Sequence, residues 1–152
     1  MTKHPVATRL LSAGEFDGQS DDEITLDETE RHRRRMVMTS DSGQSFLLDL
    51  PKAQLLIEGD VLALSDGTFV KVRAKTEPLL KVSADSPQHL LKLAWQIGNR
   101  HLAAQLCDDH ILIRRDHVIE HMLVGLGAQI EQVEQPFNSE GGAYHAHGHQ
   151  HD

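Results

Sequence analysis

The sequence predicts an α+β protein with a small all-β domain over residues 1–75, a ferredoxin-like domain over residues 76–138 and a flexible histidine-rich tail over residues 139–152. In the first half, short runs rich in Val, Leu, Ile and Thr alternate with turn residues and show no helical period. After Pro78 the pattern becomes strand, helix, strand, strand, helix, strand, which is the ferredoxin-like order. With 39% hydrophobic and 25% charged residues, the chain has a globular composition.

The first domain contains six predicted strands, separated by segments in which Gly, Asp and Ser favour tight turns. The strands are predicted at residues 6–11, 23–27, 35–39, 45–50, 60–64 and 68–74. Short strands with frequent turns are typical of a barrel or a two-layer sandwich.

The second domain begins with a predicted strand at residues 79–84. Ser86 can cap a helix that has Pro87 at its first position, and Gly98 is placed to stop that helix. Asp116 can cap a second helix, which Gly125 and Gly127 are expected to end. Residues 102–107 and 110–114 are predicted to form a hairpin, and residues 128–133 the last strand.

The net charge argues against a general nucleic-acid binder, because 15 Lys and Arg stand against 23 Asp and Glu, giving −8. Cys107 is the only cysteine, so it has no intramolecular disulfide partner. The first eleven residues lack the apolar core of a signal peptide, and no apolar run is long enough to span a membrane. These features predict a protein located in the reducing cytoplasm.

Histidine is concentrated at the end of the chain, where His145, His147, His149 and His151 occupy alternate positions. A neutral imidazole offers a nitrogen lone pair, so such a tract can fold around Ni(II), Cu(II) or Zn(II). The competing interpretation is an expression tag or a solvated end, but the interleaved Ala, Gly and Gln do not resemble an artificial tag. We therefore expect metal binding with moderate affinity and fast exchange.

His101 is a second candidate ligand, located just after the first helix of the second domain. A single histidine there would normally be a polar surface residue, since a stable site needs about three or four donors. A twofold homodimer would present the same residue twice near its axis, and the tail could complete the site.

Other histidines carry weaker signals. His117 and His121 are four residues apart on one helix, but Arg114 and Arg115 would repel a cation there, so an exposed pair is the preferred interpretation. His110 and His117 remain auxiliary candidates. Cys107 is a possible soft ligand, although a free cysteine is more often a small buried hydrophobe.

The strongly basic run consists of Arg31, His32, Arg33, Arg34 and Arg35. In an acidic protein such a strip is either a solvated edge or a docking surface for an acidic partner, and we assign partner binding to its four arginines. Enzymatic activity is not expected, because the sequence has no HExxH, phosphate-loop, GxSxG or four-cysteine zinc motif.

Five segments resemble the UreE family of urease accessory nickel chaperones. They are GNRH at residues 98–101, RRDHVIEHMLVGLGA at 114–128, PF at 136–137, GGAYHAHGH at 141–149 and ETERHRRRMVMTSDSGQSFLLDLP at 28–51. GNRH at a helix end together with a GGAY-plus-histidine terminus is specific as a combination, and the resemblance covers essentially the whole chain.

The resemblance implies an amino-terminal β domain that binds a protein partner and a ferredoxin-like domain that binds metal and dimerises. It implies that His101 of each protomer is an interfacial nickel ligand and that tail residues, chiefly His145 and His147, add donors. The implied role is to deliver nickel, with the urease accessory GTPase UreG, to the apo-urease maturation complex.

Some relatives carry a histidine pair before the second helix, whereas this chain has Arg115 and His117 there, so a complete auxiliary site is not expected. The alternative function is a histidine-rich transition-metal buffer or sensor without a transfer partner.

Overall fold

Two units, Met1–Lys75 and Thr76–Asp152, make up the chain. The structure is a computed structural model that describes residues 4–140. Strands and helices both occur within these residues, so the predicted α+β class is confirmed.

The first unit is built on six strands and one short helix. They are β1 (Val6–Leu11), β2 (Asp22–Leu26), α1 (Glu28–Arg31), β3 (Arg35–Thr39), β4 (Ser45–Asp49), β5 (Val61–Leu64) and β6 (Phe69–Ala74). The strands form one mixed sheet in the order β2-β6-β5-β1-β4-β3, and β2 and β3 are its two edges. One continuous ladder connects all six strands, and the barrel or two-layer sandwich stays a prediction.

Buried and less buried residues alternate along strand β4, so the core of the first unit lies on one face of the sheet. In β4, Phe46 and Leu48 are fully buried, and they pack with Leu62, Val72 and other apolar side chains of neighbouring strands. Burial of this face sets the register, because a one-residue slip would expose it.

The expectation of an all-β first unit missed helix α1. Asp27 accepts a hydrogen bond from Glu30 N at 2.9 Å, and Asp27 N donates to Glu30 Oε1 at 3.0 Å, which forms a capping box. The helix has only four residues, too few for an apolar period to appear in the sequence.

Within residues 76–140, the second unit contains four strands and two helices. They are β7 (Glu77–Ser83), α2 (Pro87–Asn99), β8 (Gln105–Leu106), β9 (Ile111–Arg114), α3 (His117–Gly125) and β10 (Gln129–Gln135). The sheet is antiparallel and has the order β10-β7-β9-β8, which leaves β8 at an edge.

Both helices contribute to one core in the second unit. Leu93 and Ile97 of α2 and Leu123 of α3 are buried in the same cluster as Leu80 and Ile113 of the sheet. A separate small cluster contains Leu79, Leu112 and Phe137. Since successive strand residues point to opposite sides, the helices cover one face of this sheet and Phe137 packs on the other.

Candidate metal centre

Helix α2 ends immediately before His101, and its last turn determines how that histidine is presented. His101 N donates to Gly98 O at 3.0 Å, and Leu102 N donates to Ile97 O at 3.4 Å. These two bonds are those of a Schellman motif, in which the residue after the cap adopts the left-handed conformation. His101 has a φ of 59° and is the one non-glycine residue with positive φ within residues 4–140.

Helix α3 ends in the same way but with glycine. Gly127 N donates to Val124 O at 2.9 Å, Ala128 N donates to Leu123 O at 3.0 Å, and the φ of Gly127 is 89°. Glycine is the usual residue at this position because it has no Cβ to clash. His101 therefore takes the place that glycine takes in the second helix of the same unit.

The expectation that Gly98 stops α2 is wrong. The helix continues through Gly98 and Asn99 to a cap at Arg100, and the left-handed residue follows at His101. The sequence pattern favoured Gly98 as the helix end because glycine tolerates the left-handed conformation. The left-handed residue is instead His101, three positions later, and Leu102 after it packs against the core.

His101 is exposed, while the next residue, Leu102, is half-buried in the core. The Arg100 guanidinium turns back along the helix and donates from Nη1 to Gln96 Oε1 at 2.9 Å. Within residues 4–140, no three histidine, cysteine or carboxylate side chains are grouped to hold a metal ion. To hold a metal ion, His101 would need ligands from outside the described residues of this chain.

His110 lies at the start of β9, next to the turn of the β8–β9 hairpin. Its Nδ1 is 2.7 Å from Asp109 Oδ1, and its side chain is 19% exposed. This hydrogen bond lowers the pKa of Asp109 below its usual range. A carboxylate that bonds one ring nitrogen orients the ring, so that the other nitrogen can face a metal ion. His110 remains an auxiliary candidate.

Cys107 sits across the same hairpin, where its N donates to His110 O at 2.9 Å. Burial raises the pKa of the Cys107 thiol, and the negative charges of Asp109, Glu140 and Asp108 raise it further. Since metals bind the thiolate, this environment opposes a ligand role for Cys107 at neutral pH.

His117 and His121 both lie on α3 and are exposed. His117 is the first helical residue after Asp116, whose side chain accepts from Val118 N at 2.9 Å. Arg115 is directed to β10, with Nη2 at 3.1 Å from Glu134 Oε2. His117 thus remains a possible auxiliary donor on a solvated helix.

Residues 136–140, which we call the strap, return the chain to the edge strand β8. Phe137 is fully buried, Asn138 N donates to Gln105 Oε1 at 2.9 Å, and Glu140 N donates to Ala104 O at 2.8 Å. The Glu140 carboxylate accepts from Leu106 N at 3.0 Å. The predicted flexible segment therefore begins too early at residue 139, because Glu140 is bonded to the fold.

The sequence reasoning did not predict the strap. Its one signal is an apolar aromatic residue after Pro136 at the end of the last strand. The four tail histidines predicted as ligands, His145, His147, His149 and His151, lie outside the described residues.

The basic run of the first unit does not form a single surface. Arg31 is fully buried and donates from Nη1 to Leu56 O at 3.0 Å and from Nε to Leu26 O at 3.3 Å. Its assignment to partner binding is wrong, because its guanidinium satisfies carbonyls inside the fold. Arg33, Arg34 and Arg35 are exposed.

Comparisons with known proteins connect both units to one family. The model of the UreE urease accessory protein N-terminal domain matches residues 7–75, and the model of the C-terminal domain matches residues 77–152.

No helix within residues 4–140 has the length and apolar character needed to cross a membrane.

Individual relatives agree with the domain matches. The chain is 62% identical to "Urease accessory protein UreE" of Chelativorans sp. (strain BNC1) over 128 residues, covering 84% of this chain and 81% of that protein. It is 50% identical to the protein of the same name from Bradyrhizobium sp. (strain ORS 278) over 146 residues, covering 93% of this chain and 70% of that protein. The chain therefore belongs to the UreE family of urease accessory proteins.

Proposed function

We propose that this protein binds nickel and donates it during assembly of the urease metallocentre. The observation that carries the proposal is His101, an exposed imidazole held at φ 59° in a cap position that normally belongs to glycine. Non-glycine residues in the left-handed region cost about 1–2 kcal/mol, and such outliers cluster at functional sites. Family membership supports the role in urease maturation.

The second element of the proposal is a homodimer that brings two copies of His101 together. Leu91 and Trp95 lie one turn apart on α2, the helix that ends before His101, and are 71% and 65% exposed. Two large apolar side chains on solvent are typical of an interface. A twofold axis near the helix end would provide two facing imidazoles from one residue.

The third element is the tail. Glu140 in the strap is hydrogen-bonded to Ala104. Ala104 follows His101 by three residues, so the Cα atoms of His101 and Ala104 are at most about 11 Å apart. Five residues of extended chain span at most about 18 Å, which suffices for His145 to approach His101. The tail histidines would then exchange with the fixed imidazoles as nickel is taken up and released.

The donors do not select nickel by themselves. Imidazole sites bind copper more tightly than nickel, so Cu(II) or Zn(II) can also occupy them, and nickel is inferred from the family. We also infer that the second unit is ferredoxin-like, since its order β10-β7-β9-β8 corresponds to strands 4-1-3-2 of a β-α-β-β-α-β chain.

The test is a reconstituted urease activation assay with UreG, GTP and the apo-urease maturation complex, supplied with nickel-loaded protein. The wild type is expected to activate urease and to transfer nickel on nucleotide addition, whereas His101→Ala is impaired in both. His4→Ala removes an exposed histidine that is not a proposed ligand, so it serves as the control and is expected to activate like the wild type. A metal buffer or sensor predicts neither association with UreG nor transfer, and wild-type protein that shows neither contradicts the proposal.

A further inference from the structure

The outer edge of strand β3 presents unpaired backbone groups. Ser40 N donates to Gln44 O at 2.8 Å and Leu50 N donates to Arg34 O at 2.9 Å, which fixes the bonded pairs of the β3–β4 ladder. In an antiparallel pair, bonded and non-bonded residues alternate. The N–H and C=O groups of Arg35, Val37 and Thr39 therefore point away from β4.

At the β2 edge, outward backbone groups are bonded by Asp41, which follows β3. Asp41 N donates to Glu23 O at 2.8 Å, and the Asp41 carboxylate accepts from Thr25 N at 3.1 Å. On the β3 side, no residue between 4 and 140 bonds the outward N–H groups. An open edge is a template for strand addition, and proteins usually block such edges.

Charge and shape along this edge favour one kind of partner. Arg33, Arg34 and Arg35 stand at the beginning of β3, and Asp49 is the carboxylate that pairs with two of them, at 3.9 Å from Arg34 Nη1 and 2.8 Å from Arg35 Nη1. Arg33 is exposed, and its guanidinium makes no hydrogen bond or ion pair with the described residues. The edge thus begins with an excess of positive charge.

Val37 occupies the middle of the same strand and is 55% exposed. A β-branched side chain on the open face fits a cross-strand contact with an added strand. The far end of β3 leads to Asp41, so the edge is basic at its beginning and acidic beyond its end.

We propose that the β3 edge binds an extended acidic segment of a partner protein by strand addition. The outward groups of Arg35, Val37 and Thr39 can form up to about six backbone hydrogen bonds, and the acidic residues of the segment lie beside the arginines. This inference rests on the proposed function in one respect, that the partner takes part in urease maturation. It places the binding of that partner at the β3 edge of the first unit.

The test titrates the full chain with a short capped peptide in which glutamate alternates with valine and threonine. We expect slowed amide hydrogen exchange at Arg35, Val37 and Thr39. A peptide with lysine in place of glutamate is expected to bind at least about tenfold more weakly, because it faces the same arginines. Equal binding of the two peptides, no binding by the acidic peptide, or protection confined to other residues would overturn the proposal.

Three variants separate edge pairing from the rest of the fold. Val37→Pro removes one outward N–H but no bond to β4, since proline is tolerated on edge strands whose N–H faces solvent. It should weaken acidic-peptide binding at least about tenfold, whereas Val37→Thr, which keeps the N–H and the branched shape, should bind like the wild type. Arg33→Glu provides a surface variant with no change in the backbone, and it should also weaken binding.

Mass measurement of Val37→Pro addresses the other occupant of the edge, a second copy of the chain. If the wild-type oligomer dissociates in this variant, the edge joins two copies and the proposal is overturned. Nickel affinity of Val37→Pro should equal that of the wild type. Wild-type protein that binds nickel but not the acidic peptide would reject this inference and leave the proposed function intact.

Discussion

At the scale of single residues, His101 combines an unfavourable backbone conformation with an exposed imidazole, the side chain proposed to bind nickel. A glycine at position 101 would remove the Cβ clash, which costs about 1–2 kcal/mol. Glycine also has greater backbone freedom in the unfolded chain, and this cancels about 0.4–1 kcal/mol of that gain in stability. Two hydrogen bonds and the packing of Leu102 hold this backbone conformation, which fixes the position from which the imidazole extends.

We predict that His101→Gly leaves the free energy of unfolding unchanged or raises it by up to about 1 kcal/mol, while nickel affinity falls at least about tenfold. Chemical denaturation and nickel titration measure the two quantities. Gly127→Ala is the matched control at the equivalent cap, and it should be destabilised, since its φ is 89° and an added Cβ would lie 3.2 Å from His89 Cε1. A clear loss of stability in His101→Gly would mean that the histidine is structural.

Cys107 supplies a second residue-level prediction. Because burial and nearby carboxylates raise the pKa of its thiol, alkylation of the folded chain at neutral pH should be slower than that of the same chain in denaturant. Cys107→Ser should bind nickel with wild-type affinity in a calorimetric titration. A weaker affinity would place the sulfur among the ligands.

The sequence predicts a role for His101 from its position and motif, but it does not predict the positive φ. The Schellman ending depends on Leu102 reaching the core, and no local pattern reports that contact. For Arg31 the sequence predicted the wrong location. A run of arginines suggests an exposed surface, but the Arg31 guanidinium is buried and bonds the carbonyls of Leu26 and Leu56.

At the scale of elements, the turn between β3 and β4 is tied to β2 through Asp22. Its Oδ2 accepts from Ser40 Oγ at 2.6 Å and from Ser42 Oγ at 2.5 Å, and these bonds lower the pKa of the Asp22 carboxyl. A carboxyl with a depressed folded-state pKa stabilises the fold above its unfolded value, and that contribution is lost as pH falls through the folded value.

Asp22→Asn is therefore expected to lower the unfolding midpoint at neutral pH, with a difference from wild type that shrinks as the solution is acidified below about pH 4. Thermal melts across this pH range test it. Asp17→Asn, at a carboxyl in the preceding loop, serves as the control. A difference that stays constant with pH would mean that the charge of Asp22 has no part in the tie.

The strap is the element that connects the fold to the tail. Phe137 is fully buried with Leu79 and Leu112, and the Arg114 guanidinium lies 4.9 Å from its ring centroid. Removing a buried phenylalanine side chain costs about 3–5 kcal/mol, so Phe137→Ala should destabilise the second unit strongly.

Phe137→Leu keeps most of the buried volume and is expected to fold with a smaller loss of stability. Hydrogen exchange at the Glu140 amide should be faster in this variant if Phe137 anchors the strap. Unchanged exchange there would show that the backbone bond to Ala104 holds the strap without the ring.

Element prediction succeeded where periodicity was long and failed where contacts were distant. Helix α2 starts at Pro87 as predicted, because Ser86 and Pro87 are local signals. Strand β8 is only Gln105–Leu106, shorter than the predicted residues 102–107, since the helix ending occupies the residues before it. The continuous six-stranded sheet depends on the parallel pairs β1–β4 and β2–β6, which join segments far apart in sequence.

At the scale of the whole molecule, two functions are assigned to two different units. The second unit carries His101 and the root of the tail, and the first carries the β3 edge with its exposed arginines. The net charge of −8 favours cations at the acidic surface, while the arginines form a local exception suited to an acidic partner. Metal binding and docking should therefore be separable by mutation.

The most direct test of nickel binding by paired His101 residues is a calorimetric nickel titration, with solution mass measured at each stage. It compares the intact chain, His101→Ala and a chain truncated after Tyr144. The intact chain should be a dimer with one high-affinity site shared by two chains, and truncation should keep the dimer but weaken the site. His101→Ala should lose that site and keep only weaker binding to the tail, whereas His101→Ala that titrates like the intact chain would contradict the proposed centre.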